Sequence, residues 1–416
     1  MNNQLHRNYL QKWVRISLFN LLVLSVAGVL LRALILVPVP FFNYPHILHA
    51  HSHFAFGGWV LPALVFITLK FFPEICGNVA GRHWRNIMAL IMLSAYGMLI
   101  SFAWQGYGVV SISFSTLSLV ASFYYGIVLL RSCGHYTSSG SILFLKAGIV
   151  FCLLSSLGPF ALGPISAMGK TGSQLYYNAI YYYLHFQYNG FFTFIVLAVL
   201  YKIIENSGYA GKSKTAFYLL SGACVPTFFL SVLWTGPSIL FNWLGGFAAI
   251  IQLFAVGIIL RDLKYVRWRN LPAGWLLWVS IFAFLLKNVL QLLSAFPWIA
   301  RMATLNSDYV IAYLHLVLLG FITTFLIWIM AGTVSPARRR VFHFGCLVLL
   351  SGFVITELIL VVQKPASPFA LFLFSLFFPS GIAMIWASAW VTYPSSEKSP
   401  VQSRGELQSI PASLPK

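Results

Sequence analysis

Residues 309–332 read YVIAYLHLVLLGFITTFLIWIMAG, an apolar run long enough to cross a lipid bilayer as one helix. Eleven similar runs accompany it, near 14–37, 47–71, 87–105, 109–130, 142–163, 177–203, 216–234, 238–260, 275–296, 341–362 and 369–391. The sequence therefore predicts an all-α, polytopic membrane protein with a bundle of twelve transmembrane helices. We number these runs as spans one to twelve in chain order.

Composition supports this fold class. Of the 416 residues, 59% are apolar and 8% are charged, whereas soluble domains carry about 25% charged residues. The formal charge of +19 comes from basic residues spread between apolar runs, which argues against nucleic acid as a partner and for the lipid bilayer. The five cysteines form no CxxC pair, which argues against a disulfide framework and a zinc ribbon.

Basic residues also predict the orientation. With the N-terminus inside, 20 of the 26 Lys and Arg fall in cytoplasmic loops and tails and 3 fall in outer loops. We expect a bacterial-type inner (plasma) membrane protein with both termini cytoplasmic. Residues 1–392 form the predicted transmembrane domain and 393–416 a disordered cytoplasmic tail; no internal repeat is obvious.

Histidines are the most informative polar residues of the spans. His49, His51 and His53 lie in span two, His185 in span six and His315 in span ten. These three spans run in the same direction, and His53, His185 and His315 lie about 9–12 Å below the outer ends. Polar residues at membrane depth usually mark a functional site, and imidazole is a common ligand of haem iron, copper and zinc. The alternative is hydrogen bonding between helices.

Helical geometry divides the histidines of span two into two groups. Steps of about 100° per residue place His46, His49 and His53 on one side of the helix and send His51 towards another neighbour. Span two can therefore present histidines to two different neighbouring helices.

Other polar residues add candidates. Lys287 in span nine and Glu357 in span eleven are candidates for a proton path, with helix-to-helix ion pairing as the equal alternative. Arg32 and Arg301 could pair with haem propionates, or could simply extend to the membrane interface.

Taken together, the pattern resembles subunit I of the haem-copper oxidase superfamily, which includes cytochrome oxidases and nitric oxide reductases. The matching segments are His49-Ala-His-Ser-His53 in span two, His185-Phe-Gln-Tyr188 in span six and Tyr313-Leu-His315 in span ten. The resemblance implies that His53 or His49, with His315, are the axial ligands of a low-spin haem b. It also implies that His185 is a copper ligand.

The second metal site of that family is incomplete here. Tyr313 replaces the histidine that ligates the high-spin haem, and span seven, with Cys224-Val-Pro-Thr, has no histidine pair for copper. Tyr313 could ligate iron, and His51 with His185 could hold another metal. Tyr188 follows His185 by three residues, where the oxygen reductases that have this tyrosine place it four later.

We therefore expect a haem-binding oxidoreductase-like protein acting in electron transport, or in the binding or reduction of nitric oxide or oxygen. Its partners would be a quinol or cytochrome donor and respiratory subunits. A transporter or channel that uses the histidines for protons or metal ions is the alternative, and an assembly partner of a respiratory complex without cofactors is the third possibility.

Overall fold

The computed structural model describes residues 3–77, 79–134, 136, 139–209, 211–266, 268, 271–362 and 367–390. The predicted tail at 393–416 lies outside these residues. Every regular element in the described residues is helical, and all five cysteines are buried and unpaired.

Eleven helices in the described part of the chain are long and apolar enough to cross a membrane, which confirms a multi-pass membrane protein. They are Tyr9–Leu36, Tyr44–Phe71, Gly81–Gln105, Val109–Ser132, Gly140–Ala167, Gln174–Asn206, Leu240–Tyr265, Gly274–Leu293, Ser307–Ala331, Pro336–Val362 and Ser367–Ser388. They correspond to predicted spans one to six and eight to twelve. Short helices at Pro73–Cys76 and Pro297–Leu305 lie between spans.

Span seven differs from its prediction as a continuous helix. It consists of Ser213–Cys224, Phe228–Ser231 and a 3₁₀ turn at Leu233–Thr235. Pro226 has no backbone N–H to continue the α-helical pattern, and the Phe228 N–H bonds to the Val225 carbonyl, three residues back. The α-helical partner of that N–H would be the Cys224 carbonyl, which the break leaves for other donors.

Spans two and six form the centre of the bundle. In their most apolar windows, 78% and 89% of the residues are buried inside the protein, against 28% in spans one, four and twelve. A peripheral span of a membrane protein exposes apolar side chains because lipid, not water, surrounds it. The histidines of spans two and six therefore lie on the two most buried of these helices.

Side-chain caps fix the start of the three histidine-bearing spans. Asn43 accepts a hydrogen bond from the His46 N–H at 3.3 Å, Ser173 from the Tyr176 N–H at 3.3 Å and Asn306 from the Asp308 N–H at 2.9 Å. Asn and Ser satisfy N–H groups that the first helical turn leaves without partners.

Candidate functional site

Spans two, six and ten each change from α-helix to π-helix close to a histidine. The π-helical segments are Ala55–Val60, Phe186–Phe192 and Leu316–Thr323. The second and third begin directly after His185 and His315, and the first begins two residues after His53. π-Helical turns are rare in proteins, and those that occur often lie at functional sites.

A short sequence pattern accompanies the three segments. His53, His185 and His315 are each followed five residues later by a glycine: Gly58, Gly190 and Gly320. An aromatic residue comes directly after each glycine. This recurrence was visible in the sequence and was missed because its three copies lie far apart in the chain.

Two of these glycines allow close packing. A Cβ atom on Gly190 would lie 2.7 Å from Cβ of Phe151, and one on Gly320 would lie 3.2 Å from Cβ of Ala283. Larger residues would separate the π-helical segments from their neighbours.

The three segments also contact one another. Trp59 of the first donates its indole N–H to Thr323 Oγ1 of the third at 2.8 Å. Phe56 of the first lies 5.3 Å, between ring centroids, from Phe192 of the second. The first segment thus contacts the other two in the buried interior of the bundle.

Tyr188 and Tyr313, predicted at a second site, come together. Their ring centroids lie 6.3 Å apart, with the rings near perpendicular. They therefore join span six to span ten, since Tyr188 lies within the second π-helical segment and Tyr313 lies three residues before the third.

His185 lies at the break in span seven and is 0% exposed. Its Nε2 lies 2.8 Å from the Cys224 carbonyl oxygen, and its Nδ1 lies 3.1 Å from Ser231 Oγ and 3.3 Å from Asn189 Nδ2. A carbonyl can only accept, so Nε2 carries the proton and Nδ1 of the neutral ring accepts. Both ring nitrogens are engaged, and metal binding would require one of these bonds to be replaced.

Lys287 is connected to His185 through Asn189. Its ammonium donates to Asn189 Oδ1 at 2.5 Å, and the side chain is 2% exposed. This bond fixes the amide orientation, because Oδ1 must face the ammonium and Nδ2 must face His185. The predicted proton-path residue of span nine thus joins the histidine of span six.

His315 has a different environment. Its Nδ1 lies 2.9 Å from Glu357 Oε1, and the two side chains are 30% and 15% exposed. The second carboxylate oxygen of Glu357 is buried and finds no hydrogen-bond partner in the described part of the chain. In many metal sites a carboxylate holds Nδ1 of a histidine, which orients the ring and leaves Nε2 to bind the metal.

The histidines of span two separate as the sequence predicts. The ring of His53 stacks on Phe102 at 4.3 Å, and His49 lies 4.6 Å from the Tyr107 ring. Nε2 of His53 lies 3.1 Å from the Tyr107 hydroxyl. Burial raises the pKa of Tyr107, in the connection between spans three and four, to about 12, so the phenol keeps its proton at neutral pH.

His51 faces span one instead. A Cβ atom on Gly28 would lie 3.2 Å from Cε1 of His51. Among the described residues, the buried Nδ1 atom of His51 has no hydrogen-bond partner. The charges of His315 and Arg32 act on the ring.

The two arginines predicted to bind a cofactor lie in different settings. Arg32 is half-buried in span one, close enough to influence His51. Arg301 is exposed in the short helix Pro297–Leu305. Of the two arginines, Arg32 is therefore the one whose charge acts on a histidine of span two.

Two histidines, His51 and His315, could serve as the two axial ligands of a haem. The described residues contain no group of three or more His, Cys, Asp or Glu side chains that could hold a metal ion. Axial ligation of haem needs only two imidazoles, because the macrocycle supplies the other four ligands. His51 and His315 provide an unpaired buried nitrogen and a carboxylate-oriented ring.

Comparison with known protein families and with curated proteins finds no match.

Proposed function

We propose that this membrane protein binds one b-type haem between His51 and His315 and acts in membrane electron transfer. The observation that carries the proposal is the His315–Glu357 contact, because a ring held through Nδ1 by a carboxylate presents Nε2 as a ligand. The unpaired Nδ1 of His51 supplies the second imidazole. The resemblance to haem-copper oxidase subunit I is consistent with a haem held by spans two and ten.

The contacts of span two favour His51 as the partner of His315. His53 and His49 pack against Phe102 and Tyr107, on the side of spans three and four. Arg32 is near His51 and is suited to pair with a haem propionate.

When bound, a haem with two imidazole ligands carries one electron and leaves no coordination position for a gas. Reduction of nitric oxide or oxygen would need a second metal with a free position. Both nitrogens of His185 already bind protein groups, so electron transfer is the better supported role. A quinol or a cytochrome, with respiratory subunits, would then be the partners.

Optical spectra of the purified chain test this function. In mild detergent we expect one haem per chain, with sharp α and β bands on reduction. His51→Ala and His315→Ala should each remove these bands, whereas His53→Ala should keep them. A colourless wild type, expressed with sufficient haem, would contradict the proposal. If His53→Ala lost the α and β bands and His51→Ala kept them, the haem ligand in span two would be His53 instead.

Proton or metal-ion transport is the second candidate, and the buried chain from Lys287 through Asn189 to His185 favours it. An ammonium at membrane depth without a carboxylate partner is costly and is often retained for transport. Proton uptake into proteoliposomes, reported by a pH-sensitive dye, tests this function. If the protein transports protons, the haem-free protein should support proton uptake, and Lys287→Met should abolish it.

A further inference from the structure

A cleft of about 600 Å³ opens beside residues 11–19 of span one. Two basic and four aromatic side chains are among the eight described residues that line it, and none of the eight is acidic. Spans one, three and twelve contribute these walls. The cleft is remote in sequence from every histidine considered above.

Arg15 forms the polar end and is held in place by the last span. Its Nε donates to the Ala389 carbonyl at 3.1 Å, and its guanidinium lies 5.0 Å from the centroid of Trp390. Trp386 donates its indole N–H to the Arg15 carbonyl at 3.1 Å. The described contacts use only Nε, so the outer edge of the guanidinium fork remains available for an anion.

Lys12 lies one turn from Arg15 and is exposed. Two cations at this spacing on one helix face can contact a single phosphate. The lining therefore favours an anionic group over a neutral one.

Phe19 marks the apolar end, one further turn along the same face. From Lys12 to Phe19 the helix advances about 10 Å. The whole helix, Asn3–Leu36, has 34 residues and is about 51 Å long, against a hydrocarbon layer of about 30 Å. The helix is therefore long enough for its first turns to reach the headgroup layer, with Phe19 further along the helix axis towards the hydrocarbon.

Hydrogen bonds connect the cleft to the centre of the bundle. Tyr96, in its wall, donates its hydroxyl to Asn20 Oδ1 at 2.7 Å. Asn20 Nδ2 donates to the Gly58 carbonyl at 2.6 Å, in the π-helical segment of span two. An occupant that contacts Tyr96 would thus be linked to that segment through two hydrogen bonds.

We propose that this cleft is a binding site for an anionic phospholipid. The phosphate contacts Lys12 and Arg15, and an acyl chain lies along Ile16 and Phe19 beside Trp386. The net negative charge of an anionic phospholipid distinguishes it, at this basic cleft, from a neutral quinol or a zwitterionic lipid. A basic residue near a membrane surface contributes about 1 kcal/mol to binding an anionic lipid, which is about a fivefold change in affinity.

Native mass spectrometry of the delipidated full chain tests the site. We expect phosphatidylglycerol to bind and phosphatidylcholine to bind at least tenfold more weakly. Lys12→Gln should lower phosphatidylglycerol affinity about fivefold, and Lys12→Gln/Arg15→Gln about thirtyfold. The matched control is Arg131→Gln/Lys214→Gln, which neutralises two exposed basic residues elsewhere and should leave affinity within twofold.

Several results would overturn the proposal. They are equal binding of phosphatidylcholine, unchanged affinity in the double variant, and displacement of phosphatidylglycerol by an equimolar short-chain quinol. Stabilisation of the chain against heat by inorganic phosphate alone, as large as that by phosphatidylglycerol, would assign the site to free phosphate. Lys12→Gln alone keeps the Arg15 contacts and separates a binding defect from a folding defect.

Discussion

His185 and His315 lie at equivalent places, each directly before a π-helical segment, yet their rings are used differently. His185 is fully buried, and both of its nitrogens are engaged with protein groups. His315 is partly exposed, and the contact that the described residues make with its ring is that of Nδ1 with Glu357. Depth in the membrane marks both histidines as unusual, but the hydrogen-bond partners of each ring decide whether one of its nitrogens is available to a ligand.

The largest effect should come from the buried network of His185. Asn189→Leu removes the acceptor of the Lys287 ammonium and a donor to His185, leaving a buried cation without a partner. We expect the free energy of unfolding to fall by about 3 kcal/mol or more. Thermal denaturation in detergent measures this. Asn206→Leu, at an exposed position, is the control and should change little; equal losses in both variants would show that the network is not special.

An intermediate effect is expected at His315. Glu357→Ala removes the carboxylate that orients the ring, and haem affinity should fall about 10- to 100-fold, as for other partners of metal-bound histidines. Haem titration followed by absorbance measures the affinity. Glu357→Gln keeps an acceptor oxygen and should lie between wild type and Glu357→Ala. Unchanged affinity in both variants would show that His315 does not need this contact.

The smallest effect should come from Ser231→Ala. His185 Nδ1 then loses one donor but keeps Asn189, so the cost should be about 1 kcal/mol. The melting temperature reports it. Ser221→Ala removes a hydroxyl that bonds only within its own helix and is the matched control. A loss as large as that of Asn189→Leu would mean that Ser231, and not Asn189, is the main partner of His185.

Much of the fold follows from the sequence because apolar runs are local signals. The broken span seven does not, since its apolar content is high enough for a continuous helix and only Pro226 indicated otherwise. Helical periodicity separated His51 from His49 and His53, and their contacts agree. The same periodicity could not tell which neighbour each group faces, because the order of helices around the bundle depends on long-range packing.

The polar partners show the same limit. Lys287 and Glu357 were recognisable as costly residues in the membrane. Their pairing with Asn189 and with His315 joins residues 98 and 42 positions apart, which no local pattern encodes. Asn189 itself was missed, since an uncharged amide three residues before the end of a π-helical segment gives no distinct signal.

Each π-helical turn holds about one residue more than an α-helical turn. The helix beyond it is therefore rotated by about 100° relative to a continuous α-helix. In spans two, six and ten the two halves of one helix consequently follow separate periodic registers. Any alignment of this chain to a straight helical template should need a one-residue gap at three places, close after His53, His185 and His315.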